Sequence, residues 1–99
     1  MDDHYDSVEW DERKSTRNEA ARGFGFNYAA QIFLGARIER ENLSRHFGER
    51  RFVTTGMVGE TMLTVVWTPR CTARRIISAR NASRREKRRY YGHYPQEAF

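Results

Sequence analysis

Apolar residues have helical spacing in the first third of the chain. Asp11 is a favourable helix N-cap and Gly23 a favourable end signal, so the pattern predicts a helix over residues 12–22. Residues 26–33 carry apolar side chains at i, i+3, i+4 and i+7, which predicts a second short helix that ends at Gly35.

From there the pattern becomes one of strands. Strands are predicted at residues 7–10, 36–41, 50–58, 61–68 and 73–79, with turns at 59–60 and 69–72 and a loop at 42–48. Leu63, Val65 and Trp67 share one strand face and are expected to point into the core. In the last strand either Ile76 or Ile77 points the same way, and that choice decides which neighbouring arginine lies on the open face.

The stretch from 74 to 91 changes from a strand into a helix. Ser83 and Glu86 have the spacing of a capping box, which predicts a helix over residues 83–91. The short polar joint at 80–82 places Arg80 near a strand end and a helix N-terminus, where anions such as phosphate bind favourably.

This order of elements indicates an α+β fold. We expect a twisted antiparallel sheet of about four to five strands with two N-terminal helices and one C-terminal helix, packed on one face. The chain has 99 residues, which suits one domain. We expect a frayed start at 1–6, a single domain at 7–91 and a tail at 92–99.

The charge is unevenly distributed along the chain. Residues 1–12 hold six acids and no Lys or Arg, for a formal charge of −6, whereas residues 13–99 hold 18 bases and seven acids, for +11. All but two of the bases are arginine, whose planar guanidinium binds phosphate bidentately. The pattern favours a nucleic-acid partner, although a merely solvated charged surface has the same composition.

Several classes of protein are disfavoured. Cys71 is the only cysteine, so neither an intrachain disulfide nor a cysteine zinc site is expected. The longest apolar run is too short to cross a bilayer, and the acidic start is unlike a signal peptide. We expect a cytoplasmic protein without metal, cofactor or membrane association.

Arginines in the strands are the main candidates for chemistry. RNA cleavage needs a group that accepts the 2′-hydroxyl proton, one that stabilises charge on phosphorus and one that protonates the leaving oxygen. The phosphate candidates are Arg51, Arg74, Arg75 and Arg80, which lie in or beside predicted strands. Of the three histidines, His46 is the best placed for the proton transfer. Further contacts with RNA are assigned to Arg22, Arg74, Arg84, Arg85 and Tyr90. Each has a plainer alternative, since strand arginines are often solvated, His46 could be an exposed loop residue and Tyr90 could close the core.

Three segments together resemble a known family. They are WDERK at 10–14, GERRF at 48–52 and RIISARNASRRE at 75–86. With Asn18, Gly23 and the apolar helix at 26–33 between them, their order is similar to that of BrnT-type toxins of bacterial type II toxin–antitoxin systems.

The resemblance implies a RelE-like ribonuclease fold, metal-independent RNA cleavage and growth arrest. It also implies neutralisation by a BrnA-type antitoxin, in a dimer or heterotetramer, with operator DNA bound only by the toxin–antitoxin complex. The positions carried over are Trp10, Asp11, Lys14, Asn18, Arg51, Arg75, Arg80 and Glu86. With these positions, we assign the phosphate to Arg51, Arg75 and Arg80, and the proton transfer to Lys14 or His46.

Two positions depart from the family pattern. Arg22 stands where the family usually has histidine, and Asn81 stands where it usually has a basic residue. The first change replaces a proton carrier with a permanent cation. It therefore leaves open a non-enzymatic subunit that binds nucleic acid, or a protein whose arginines meet an acidic partner.

Overall fold

A computed structural model describes residues 4–44 and 48–96 of the chain. The elements are β1 (Ser7–Glu9), α1 (Glu12–Arg22), α2 (Phe26–Ala29), a 3-10 helix (Ala30–Leu34), β2 (Arg37–Asn42), β3 (Arg51–Val58), β4 (Thr61–Arg70), β5 (Ala73–Asn81) and α3 (Arg84–His93). The candidate His46 lies outside the described residues. The α+β class is confirmed, and no helix in the described ranges is long and apolar enough to cross a membrane.

The five strands form one mixed sheet in the order β1-β5-β4-β3-β2. The prediction of a purely antiparallel sheet is wrong, because β1 pairs with β5 in parallel, with Ser7 opposite Ala73. Side-chain alternation is the same in both kinds of pairing, so it could not reveal the direction of so short a first strand. The parallel pairing brings the start of α1 next to β5.

The expected core face is confirmed by Leu63, Val65 and Trp67, which are all buried against α2 and the 3-10 helix. A register shift at Val66 and Trp67 leaves Ile77 as an extra residue between paired positions of β5. Ile76 is therefore the buried isoleucine, at 2% exposure. Because neighbouring residues of a strand point to opposite faces, Arg75 lies on the face of the sheet away from the core.

Arg74 consequently lies on the core side of the sheet. Its guanidinium carbon is 4.5 Å from the ring centre of Phe33, 4.9 Å from that of Tyr5 and 5.2 Å from that of Trp67. Burial lowers its pKa from the usual value. Tyr5, just before β1, also packs edge-on against Trp67.

The second face of the sheet is half covered by α3. Glu86 of α3 accepts a hydrogen bond from Thr64, which points away from the Leu63–Val65 side of β4. The expectation of helices on one face only is thus wrong. Half of the second face is left open at the end that carries Arg51, Thr68 and Arg75.

Three predicted boundaries also change. Pro69 belongs to β4, where it pairs with Arg74 beyond the end of β3, so its missing N–H costs no ladder bond on that side. Arg80 and Asn81 belong to β5 rather than to a joint, and α3 extends to His93. Pattern signals locate elements better than their ends.

Candidate functional site

A hollow of about 160 Å³ lies at the open end of the second sheet face. Four cationic side chains line it, those of Lys14, Arg51, Arg70 and Arg75. The carboxylates of Asp11 and Glu49 also line it, as do Thr68, Ile76 and Ile77. The excess of cations makes the hollow electropositive, which favours an anionic ligand. Two of the three arginines assigned to phosphate from the sequence are brought together here.

Arg51 and Arg75 are positioned by the central strand between them. Arg75 of β5 is paired with Thr68 of β4, and Arg51 of β3 follows next in register after Phe52, which pairs with Trp67. Adjacent strands are about 4.8 Å apart, so the two Cα atoms are separated by about 10 Å. Both side chains line the hollow together with Thr68.

Lys14 reaches the hollow from the first turn of α1. Asp11 begins that helix, because its side chain accepts a hydrogen bond from the Arg13 backbone N–H at 2.8 Å. This bond is the main reason why the pKa of Asp11 is lowered, and Arg75 contributes to the same effect. Asp11 therefore fixes the position of Lys14 while remaining ionised.

Each phosphate-binding candidate in the hollow has a partner carboxylate. Arg75 Nη1 lies 3.0 Å from Glu9 Oε2, and Arg51 Nη2 lies 3.4 Å from Glu49 Oε2. All four side chains are roughly one-third exposed, at 31–42%. Pairs this accessible are weak and orient the guanidiniums without preventing an anion from competing for them.

The structure does not bring Arg80 into this hollow. Arg80 is five residues beyond Arg75 on the same strand, and because Ile77 is bulged, the two span four residues of β4, or about 13 Å. Its two terminal nitrogens bind the two oxygens of Glu86 at 2.8 and 2.9 Å. The expected group of three arginines is therefore a pair, and Arg80 is committed to a neighbouring carboxylate.

Glu86 is the centre of a buried polar network. It also accepts hydrogen bonds from the Thr64 hydroxyl and the Ser83 backbone N–H, and its side chain is 9% exposed. Arg80 first, then Ser83 and Thr64, lower the pKa of Glu86 to about 2. These bonds give Glu86 a complete structural role and confirm the predicted capping box.

Replacing Ser83 with alanine is expected to lower the free energy of unfolding by about 1 kcal/mol. The Ser83 hydroxyl accepts the hydrogen bond of the Glu86 N–H, which would have no other partner in the first turn of α3. Urea denaturation would measure the change. Ser78→Ala, at an exposed position of β5, is the control and should stay within about 0.5 kcal/mol of the parent.

The residues assigned to wider RNA contact are dispersed. Arg84 and Arg85 are exposed on the first turn of α3, and Arg22 is exposed on the last turn of α1, about 12 Å along the helix from Lys14. Arg74 lies among three rings on the other sheet face, and Tyr90 is buried at 7% exposure. Arg22, where the family has histidine, does not line the hollow.

Three lining residues were missed by the sequence reasoning: Glu49, Thr68 and Arg70. Glu49 lies two positions before Arg51, and Thr68 lies two positions before Arg70. Residues two positions apart in a strand point to the same face, so extending this rule to the ends of the strands could have identified them. Within the described parts of the chain, no group of three or more His, Cys, Asp or Glu side chains could hold a metal ion.

Comparisons with known proteins give the family of this chain. A family model described as the ribonuclease toxin BrnT of type II toxin–antitoxin systems matches residues 10–86. The crystal structure of the Brucella abortus ribonuclease toxin BrnT is similar, with 25% identity, a TM-score of 0.59, and coverage of 79% of this chain and 97% of that chain. A comparison with curated protein sequences finds no match. The family match spans most of the chain and includes the Lys14, Arg51 and Arg75 positions, and the chain belongs to the BrnT family of ribonuclease toxins of type II toxin–antitoxin systems.

Proposed function

We propose that this protein cleaves RNA at the hollow between α1 and the open end of the sheet. The observation that carries the proposal is the convergence of Lys14, Arg51 and Arg75 on one small cavity. In the reaction, a ribose 2′-oxygen attacks the adjacent phosphorus. The products are a 2′,3′-cyclic phosphate and a 5′-hydroxyl.

Arg51 and Arg75 hold the phosphate in this mechanism. Negative charge grows on the non-bridging oxygens as the 2′-oxygen attacks, and guanidinium groups fixed on neighbouring strands stabilise it without reorganising. The RNA phosphate replaces the carboxylates of Glu9 and Glu49 as a partner, which is feasible because both pairs are open to solvent.

Lys14 supplies the proton to the leaving 5′-oxygen. It is exposed, lines the hollow and is held in place by the Asp11-capped start of α1. No metal is required, because the cations that stabilise the phosphate belong to the protein. His46 stays an alternative proton carrier from the sequence.

The cellular role follows from the family. We infer that RNA cleavage arrests growth, that a BrnA-type antitoxin neutralises the protein, and that operator DNA is bound by the toxin–antitoxin complex. The RelE-like fold relationship is part of the same proposal.

Incubating the purified protein with RNA in the presence and absence of EDTA tests the activity. We expect decay of RNA with and without the chelator, and cyclic-phosphate ends on the products. A substrate with a single ribose among deoxynucleotides should be cut only after that ribose. Intact RNA after incubation with folded protein would refute the proposal.

A second candidate is a subunit that binds nucleic acid without cleaving it. It is favoured by α3, on which Arg84, Arg85, Lys87, Arg88 and Arg89 are exposed and form no ion pair with any described residue. This alternative predicts binding that weakens steeply with salt and leaves RNA intact. The same incubation separates the two.

A further inference from the structure

The proposed cleavage leaves one proton without an acceptor. The 2′-hydroxyl must lose its proton, and a protonated lysine or arginine cannot take it. The hollow contains two carboxylates, Asp11 and Glu49. Among the side chains that line the hollow, these two carboxylates are the candidate bases.

Asp11 is committed to another task. One of its oxygens caps α1 through the Arg13 N–H, and its lowered pKa shows that the ionised form is stabilised where it is. Protonating it would weaken the cap that positions Lys14. Asp11 is therefore a poor acceptor for the proton.

Glu49 is differently placed. Within residues 4–44 and 48–96, its carboxylate makes one contact, between Oε2 and Arg51 Nη2 at 3.4 Å, so Oε1 has no partner there. The contact is long for a charge-assisted hydrogen bond, and the side chain is 36% exposed. One oxygen is thus available beside an arginine that holds the phosphate.

A larger open depression adjoins the hollow at Glu49. It has a volume of about 460 Å³, and Glu49, Thr68 and Arg70 line both spaces. The volume of the depression is large enough for a nucleoside. An RNA with its nucleoside in this depression and its 3′-phosphate in the hollow would have its ribose at the boundary that Glu49 lines.

We propose that Glu49 is the general base of the cleavage, an inference that rests on the proposed ribonuclease function. The Glu49 carboxylate takes the proton of the 2′-hydroxyl, and the 2′-oxygen forms a bond to phosphorus. The bond from phosphorus to the 5′-oxygen breaks, and that oxygen receives a proton from Lys14. Water then returns both residues to their starting protonation states.

The test is Glu49→Gln, assayed on an RNA oligonucleotide across a range of pH. The charged groups that line the two spaces with Glu49 are Asp11, Lys14, Arg50, Arg51, Arg70 and Arg75. We expect a loss of about 100-fold in kcat/KM and loss of the acidic limb of its pH profile, since general-base catalysis contributes about that factor. Binding of a fully deoxy analogue should be retained or tighter, because a competitor for Arg51 has been neutralised.

Glu60→Gln is the matched control. Glu60 is exposed in the β3–β4 turn, at the end of the hairpin away from Arg51. The Glu60→Gln variant should therefore cleave RNA like the parent. The proposal is overturned if Glu49→Gln cleaves within about threefold of the parent, or if cleavage and binding fall together with an unchanged pH profile, which would make Glu49 a positioning residue for Arg51. Inactivity of the parent protein would instead refute the ribonuclease function itself.

Discussion

Arg51→Ala is expected to lower RNA cleavage by about 1,000-fold, because it removes one of two guanidiniums that stabilise the charge developing on phosphorus. Arg51 enters β3 on the open sheet face and lines the hollow with Lys14 and Arg75. It has no network of buried partners, and its carboxylate contact is long. The loss should appear in kcat/KM, measured with a labelled oligonucleotide.

The control for this variant is Arg40→Ala. Arg40 is an exposed arginine of β2 that does not line the hollow, so its loss removes the same charge from elsewhere. We expect cleavage within about threefold of the parent and similar thermal unfolding for both variants. Equal losses in the two would show that net charge, rather than the hollow, governs activity.

Much of the sheet was predictable because its middle strands are rich in β-branched residues and are joined by a two-residue turn. Leu63, Val65 and Trp67 point into the core as expected, and Ser83 and Glu86 form the predicted cap. The parallel pairing of β1 was not predictable from so few residues. Nor was the bulge at Ile77, which depends on how β5 fits the twist of its neighbour rather than on its own pattern.

The candidate site was predicted in part for the same reason. Arg51 and Arg75 could be placed near each other once both strands were known, whereas Lys14 reaches them only because β1 brings α1 to β5. Arg80 has a residue type that suits a phosphate site, but it does not line the hollow. Sequence spacing indicated that Glu86 caps α3 but not that the same carboxylate binds Arg80.

Arg80→Ala is expected to cost about 3 kcal/mol in the free energy of unfolding at pH 7. It leaves the buried Glu86 carboxylate without its charged partner, and losing one member of a buried pair is strongly destabilising. Urea denaturation would measure the loss. At a temperature where the variant is folded, we expect RNA cleavage within about tenfold of the parent. A loss as large as that of Arg51→Ala, with unchanged stability, would return Arg80 to the phosphate site.

Glu86→Gln tests the same ion pair through the pH dependence of the free energy of unfolding. The pKa of Glu86 is lowered from 4.5 to about 2, so its contribution is fully present above pH 4.5 and is lost as the pH falls through about 2. Because one pKa unit is worth about 1.4 kcal/mol, this change corresponds to about 3 kcal/mol. We expect the free energy of unfolding of Glu86→Gln to lack this loss of about 3 kcal/mol between pH 4.5 and about 2. Arg80→Ala combined with Glu86→Gln should be more stable than Arg80→Ala alone, since the unpaired charge is gone. If the double variant is no more stable, the pair contributes little and α3 depends on packing through Tyr90 instead.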